Sequence, residues 1–147
     1  MDINQISQLK GEVGVSDLVK KARDDFRFVL SKSNILAPSN LQYQSIVKSG
    51  VTVGYALAAP FNVEDGECVI PAHLIKADDP KMYVALVCYR GGAPVDVLMF
   101  NSAYFAKAKK PIKYSKRGGQ YEYVISIKDI NHKSMQQHAL GYVIGNL

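Results

Sequence analysis

Met82–Tyr89, MYVALVCY, is an unbroken apolar run, closed by Asp79-Pro80 before it and Arg90-Gly91-Gly92 after it. A strand exposed on one face alternates apolar and polar residues, whereas a strand covered on both faces reads as a continuous apolar segment. Here Tyr83, Ala85, Val87 and Tyr89 would form one face and Val84, Leu86 and Cys88 the other, and neither face carries a charge. The run is short for a helix, and the breakers at its two ends favour a strand. Burying one large side chain is worth about 1.5–3 kcal/mol, so this segment is expected to anchor the core.

Working outward, Arg90–Ala93 reads as a turn that returns the chain along Pro94–Phe100, an antiparallel partner. Upstream, Leu41–Lys48 and Val51–Ala59 are β-like runs around Ser49-Gly50, the second ended by Pro60. One face of that second run is Thr52, Gly54, Ala56 and Ala58, small enough for a helix or another backbone to pack closely. Glu67–Ala77 is a further strand candidate, and Pro71 inside it argues for an edge position or a bulge. Asn101 or Ser102 caps a short helix over Ala103–Lys110, stopped by Pro111. Lys116-Arg117-Gly118-Gly119 reads as a flexible basic turn, and Gln120–Ile127 resumes strand alternation with Tyr121, Tyr123, Ile125 and Ile127 on one face.

At the N-terminal side, Met1–Val13 reads as a short helical turn and Ser16 as a helix cap. Leu18, Val19, Ala22, Phe26, Val29 and Leu30 then recur at helical spacing, giving an amphipathic helix to about Ser33. Asp129 or Asn131 would cap a last helix running to about Leu140 and ended by Gly141. The expectation is a single α+β domain over residues 1–147: a mixed, mostly antiparallel sheet, the N-terminal amphipathic helix, and helices mainly on one face.

At 147 residues the chain is most simply one domain. No window approaches the ~18 apolar residues of a membrane-spanning helix. The opening MDINQISQLK lacks the basic and apolar regions of a secretory leader, so a cytoplasmic location without membrane contact is expected. Cys68 and Cys88 fall in strand-like sequence, as two buried small hydrophobes would. The net charge of +5 is unevenly placed: residues 104–147 hold eight Lys/Arg against two acids, and residues 1–103 hold ten against eleven.

Several chemistries are absent or poorly matched. There is no Gly-rich phosphate loop, no Cys-x-x-Cys pair and no Gly-x-Ser-x-Gly elbow. His132 and His138 are six apart on the expected last helix and diverge, so no structural zinc site is expected. Cys88 sits in the expected core, where a thiol is inert, although a Cys88–His73 pair across adjacent strands is available as a nucleophile–base combination. The acids of Glu64-Asp65-Gly66-Glu67 and Asp78-Asp79 suit either a Mg²⁺ site with a nearby lysine or ordinary exposed turns. The fullest signal is basic and aromatic interleaving. Lys107, Lys109, Lys110, Lys113, Tyr114, Lys116 and Arg117 are candidate nucleic-acid contacts, with Tyr104, Tyr121 and Tyr123 among them. Lysines attract phosphates and tyrosine faces stack on unpaired bases; a solvated basic loop beside half-buried tyrosines would have the same composition.

The order helix, three extended segments, YVALVCYRGGAPVDVLMFNSAYFAK (Tyr83–Lys107) and YEYVISIKDI (Tyr121–Ile130) resembles the small PD-(D/E)xK nuclease-like domains over residues 16–130. That family's core is a helix, a run of strands, a helix and a further strand. Its active site sets an Asp near one strand and an acid or Gln two residues before a Lys. The resemblance implies Asp65, Glu67 and Lys76 as candidate catalytic residues, with Mg²⁺ as the cofactor of a working site. Leu74 stands where the acid or amide should precede Lys76, and leucine cannot ligate a metal. The resemblance therefore implies a non-catalytic nucleic-acid-associated or assembly version of the fold. A metal-dependent nuclease with an atypical site and a protein-interaction or oligomerisation domain are the alternatives. The expected partners are accordingly DNA or RNA, or a protein or second copy of the chain.

Overall fold

The computed structural model describes residues 13–32, 43–64, 66–107, 112–126 and 137–147. Among these are α1 (Val13–Lys32), β1 (Tyr43–Lys48), β2 (Val51–Asn62), β3 (Glu67–Pro71), β4 (Met82–Arg90), β5 (Ala93–Asn101), α2 (Ala103–Ala106), β6 (Ile112–Arg117), β7 (Gln120–Ser126) and α3 (Leu140–Gly145). A single 3-10 turn, Ala72–Leu74, follows β3.

The continuous apolar run becomes β4, an interior strand of a four-stranded sheet of order β1-β2-β4-β5. β2 and β4 are parallel, and the two outer pairings are antiparallel. A parallel pair cannot be joined by a tight turn. Here the chain makes the crossing through a second sheet: β3 leaves β2, pairs with β7, and hands the chain through the 3-10 turn to the start of β4. That second sheet has the order β3-β7-β6 and is wholly antiparallel. The class is α+β, mixed and mostly antiparallel, as expected, but the strands divide between two sheets. Alternation along a strand identifies its faces, not its neighbours, so this division could not be read from the sequence.

β4 is buried on both faces. Ala85, Val87 and Tyr89 join Ala22, Phe26 and Leu30 of α1, Ala56 and Ala58 of β2, and Ile144 of α3. Val84, Leu86 and Cys88 join Ile70, Tyr123, Ile125 and Ile112 of the second sheet. Helices α1 and α3 thus cover one face of the large sheet and the small sheet covers the other. Of the small residues of β2, Ala56 and Ala58 meet α1, whereas Gly54 is approached by the Lys81 carbonyl and the Tyr83 ring and Thr52 is exposed. Tyr89 also ties the layers by a polar contact: its hydroxyl donates to Asp25 Oδ2 at 2.6 Å, and Lys21 donates to the same oxygen at 2.8 Å.

Several boundaries differ from the expectation. α1 begins three residues before Ser16, within the softness of any boundary placed by a capping letter. Pro60 does not end β2, which runs to Asn62 in register with β4. The Tyr55 and Val63 amides donate to β4-side carbonyls, so the intervening even-numbered residues turn their backbone groups away from β4. On that side β1 stops at Tyr43, opposite Leu57, and among the described residues no strand flanks β2 beyond it. Proline's missing N–H therefore removes no ladder bond. β3 stops at Pro71 on the edge of its sheet, and the rest of the expected strand becomes the 3-10 turn and a loop. Lys116 and Arg117, read as half of a flexible basic turn, are the end of a strand, Ile112–Arg117, and only Gly118 and Gly119 form the turn. Gly141 lies inside α3, which continues to Gly145. The helical turn expected ahead of Val13 and the caps at Asp129 or Asn131 fall outside the described residues. No helix among the described residues is long and apolar enough to cross a membrane.

Candidate functional site

Of the residues suggested by the nuclease resemblance, Glu67 and Lys76 lie apart. Lys76 follows the 3-10 turn at the end of the large sheet where β4 begins, and its backbone amide donates to the Met82 sulfur. Glu67, exposed, opens β3 beside Cys68, whose thiol donates to the Pro60 carbonyl. Pro60 is level with Val87, five residues along β4 from Met82. At a rise of about 3.3 Å per residue that separates the two by about 16 Å. Asp65 lies outside the described residues. Leu74 uses its carbonyl to accept the Tyr43 hydroxyl at 2.8 Å.

Lys76 instead belongs to a tyrosine–aspartate corner. The rings of Tyr43 and Tyr55 meet edge to face at 5.5 Å, and the Lys76 ammonium stands 5.4 and 5.8 Å from their centroids. The Tyr55 hydroxyl donates to Asp79 Oδ2, and the Lys81 amide donates to Oδ1. These two hydrogen bonds, with the charges of Lys76 and Lys81, hold the Asp79 carboxyl below the usual range. Burial and the Asp79 contact push Tyr55 up to about 12. The Tyr43 and Tyr55 hydroxyls and the Asp79 carboxylate all serve to close the loop onto the sheet. Among the described residues, no three His, Cys, Asp or Glu side chains come together as a metal would require.

The other nucleophile and base candidates are packed away or apart. Cys68 and Cys88 are buried free thiols, and burial pushes each up to about 12, so neither supplies a thiolate near neutral pH. His73 is exposed in the 3-10 turn, whereas Cys88 lies level with Phe61 toward the far end of β4. His138 is buried with its ring stacked on Phe100 at 4.1 Å and Nδ1 bonded to the Met99 carbonyl; burial lowers its pKa. A cavity of about 140 Å³ opens between β2 and β3, lined by Val19, Ala58, Pro60, Val69, Pro71 and Leu74. It is below the ~300 Å³ of ordinary small-molecule sites and brings in no convergent polar side chains.

The basic, aromatic segment is more organised than its composition required. β6 and β7 form a hairpin whose two turn glycines, Gly118 and Gly119, have φ of 58° and 83°. Positive φ at both central residues defines the tight turn that matches strand twist. Its register puts Tyr114 opposite Tyr123 and Lys116 opposite Tyr121. Strand alternation then aligns Ile112, Tyr114 and Lys116 with Ile125, Tyr123 and Tyr121 on the face that turns toward the core.

That face leaves the core toward the hairpin tip. Ile112 and Ile125 are fully buried, Tyr123 is 8% exposed, and Tyr114 and Tyr121 are 48% and 50% exposed. The rings form a continuous series. Phe105 of α2 meets Tyr123 edge-on at 5.2 Å, Tyr123 lies 5.0 Å from Tyr114, and Tyr114 stacks on Tyr121 at 5.2 Å with planes 1° apart. The Lys116 ammonium sits 5.4 Å from the Tyr121 centroid. Lys113 is exposed on the opposite face of the hairpin, and Lys107 is exposed after α2, which packs against β6. Of the other basic candidates, Arg117 is the last residue of β6, and Lys109 and Lys110 lie outside the described residues.

Phe105 was not anticipated as the root of this series. Its sequence signal was its place between Tyr104 and Ala106 in the short helix, where one large apolar side chain must face inward. Nor were Tyr43 and Tyr55 anticipated as the setting of Lys76, because they come from segments far from it in the chain. No protein-family model, curated protein or solved structure matches this chain.

Proposed function

We propose that the chain is a non-catalytic nucleic-acid-binding module whose contact surface is the β6–β7 hairpin with the flanking basic segment. One observation carries this reading: two half-exposed, parallel-stacked tyrosines, Tyr114 and Tyr121, share a hairpin with the exposed ammonium groups of Lys113 and Lys116. Cations that follow a strand attract phosphates, and exposed aromatic faces take bases. Lys107, Lys109, Lys110 and Arg117 extend the positive charge along the sequence on either side, and Glu122 is the sole acid within β6 and β7.

Fluorescence anisotropy with labelled DNA and RNA over a salt series tests the reading. Binding should be clear at low salt and fall steeply as salt rises. Lys116→Ala, on the same face as the tyrosines, should reduce the slope of log K against log salt by about one. No binding to either nucleic acid at low salt would remove this function.

A further inference from the structure

Resting on that reading, we infer that the hairpin selects unpaired bases, and that Lys116 occupies in the free protein the position the first base takes over. In a duplex, base faces are covered by their neighbours and only edges are offered in the grooves. A tyrosine face can be used by a base only where a strand is single or a base is extruded. The hairpin offers faces: Tyr114 and Tyr121 are parallel within 1° and each is about half exposed.

The series is fixed from below. Tyr123 is largely buried and contacts both Phe105, itself 1% exposed, and Tyr114. Tyr114 and Tyr121 are therefore held in a stacking geometry before any ligand arrives, which lowers the ordering cost of binding.

Tyr121 has Tyr114 stacked against it and the Lys116 ammonium over its ring. An exposed ammonium on an aromatic face is held weakly. A base offers that face a larger planar contact, and its phosphate offers the ammonium a full opposite charge. The exchange moves one flexible side chain and leaves the hairpin backbone in place. The chemistry selected is an unpaired base with its phosphate, common to single-stranded DNA and RNA.

The test compares an oligothymidine, an oligouridine and a blunt duplex, each of about twelve nucleotides, by anisotropy at low salt, with tyrosine fluorescence followed in parallel. Both single strands should bind more tightly than the duplex and quench tyrosine emission. Tyr121→Ala should weaken single-strand binding about ten-fold, abolish most of the quenching and bring single-strand affinity down toward that of the duplex, while Tyr121→Phe should retain both affinity and preference. Lys116→Ala should flatten the salt dependence and keep the quenching. Duplex binding as tight as single-strand binding, with no effect of Tyr121→Ala, would overturn the inference and leave the nucleic-acid reading standing. Failure of all three probes to bind would instead overturn that reading, and the inference with it. Preference for one single strand over the other reports the 2′-hydroxyl or the 5-methyl group of the base and supports the inference in either case.

Discussion

Asp25 shows how one side chain joins two layers of this molecule. It accepts from Lys21 on its own helix and from Tyr89 on β4, and Lys21 also lies 4.8 Å from the Tyr89 ring centroid. Burial alone would raise the carboxyl pKa, but the two hydrogen bonds and the Lys21 charge outweigh it and hold the group below its usual value. A carboxyl lowered on folding stabilises fully above its unfolded value, about 3.9, and loses that contribution as pH falls through the lower folded value. Tyr89→Phe should therefore cost about 1 kcal/mol near neutrality. The upper range for charged acceptors is not reached, because the Asp25 side chain is 26% exposed. In urea denaturation the gap between wild type and variant should narrow below about pH 4; a gap independent of pH would show that the hydroxyl does not serve the carboxylate. The same scale explains what was legible in the sequence. Tyr114 and Lys116 could be named as candidates because their types and nearness along the chain were visible. The Lys76 corner could not, since it is made from Tyr43, Tyr55 and Asp79 only after three separate segments meet.

At the scale of elements, legibility followed how completely a strand is enclosed. β4 buries seven of its nine residues and β2 half of its twelve, so their side chains are nearly all apolar or small and announce themselves. β6 carries Lys113, Lys116 and Arg117 in six residues and has a neighbour on one side only, so nothing in its pattern separated it from a loop. Gly54 was seen as one of a set of small residues, and the structure supplies the reason it must be glycine. A Cβ there would lie 2.8 Å from the Lys81 carbonyl oxygen and 3.2 Å from the Tyr83 ring. That oxygen accepts the Tyr55 amide at 3.0 Å, so it cannot retreat without loosening the start of the parallel β2–β4 pairing. Gly54→Ala should destabilise by about 1–3 kcal/mol. Gly141→Ala is the matched opposite: it lies in α3, is exposed, has no positive φ, and a Cβ would meet nothing within 4 Å. It should be neutral or stabilising by up to about 1 kcal/mol. Chemical denaturation of the two variants separates close packing from mere helix or strand propensity; equal effects would mean the Lys81 contact gives way freely.

At the scale of the whole molecule, β4 makes the two hydrophobic clusters one cooperative structure. Ala85 and Val87 serve the cluster under α1, and Val84 and Leu86 serve the cluster under the second sheet. Opening either layer strips one face of the same strand, so neither layer is expected to unfold by itself. The crossing from β2 to β4 through β3 adds a covalent reason, because the small sheet's edge strand lies within the connection of the large sheet's parallel pair. Phe26, fully buried on α1, is far from the hairpin in both layer and sequence, which makes it a fair probe. Phe26→Ala should cost about 3–5 kcal/mol. In native-state hydrogen exchange it should accelerate the slowest amides of α1 and those of β7 around Tyr123 and Ile125 by the same factor. If the β7 amides kept their wild-type rates while those of α1 exchanged faster, the small sheet would be stable without the helix layer. Equal acceleration would instead tie the geometry of the Tyr123–Tyr114–Tyr121 series to the global stability of the fold, so that a distant core substitution loosens the hairpin only by unfolding the whole.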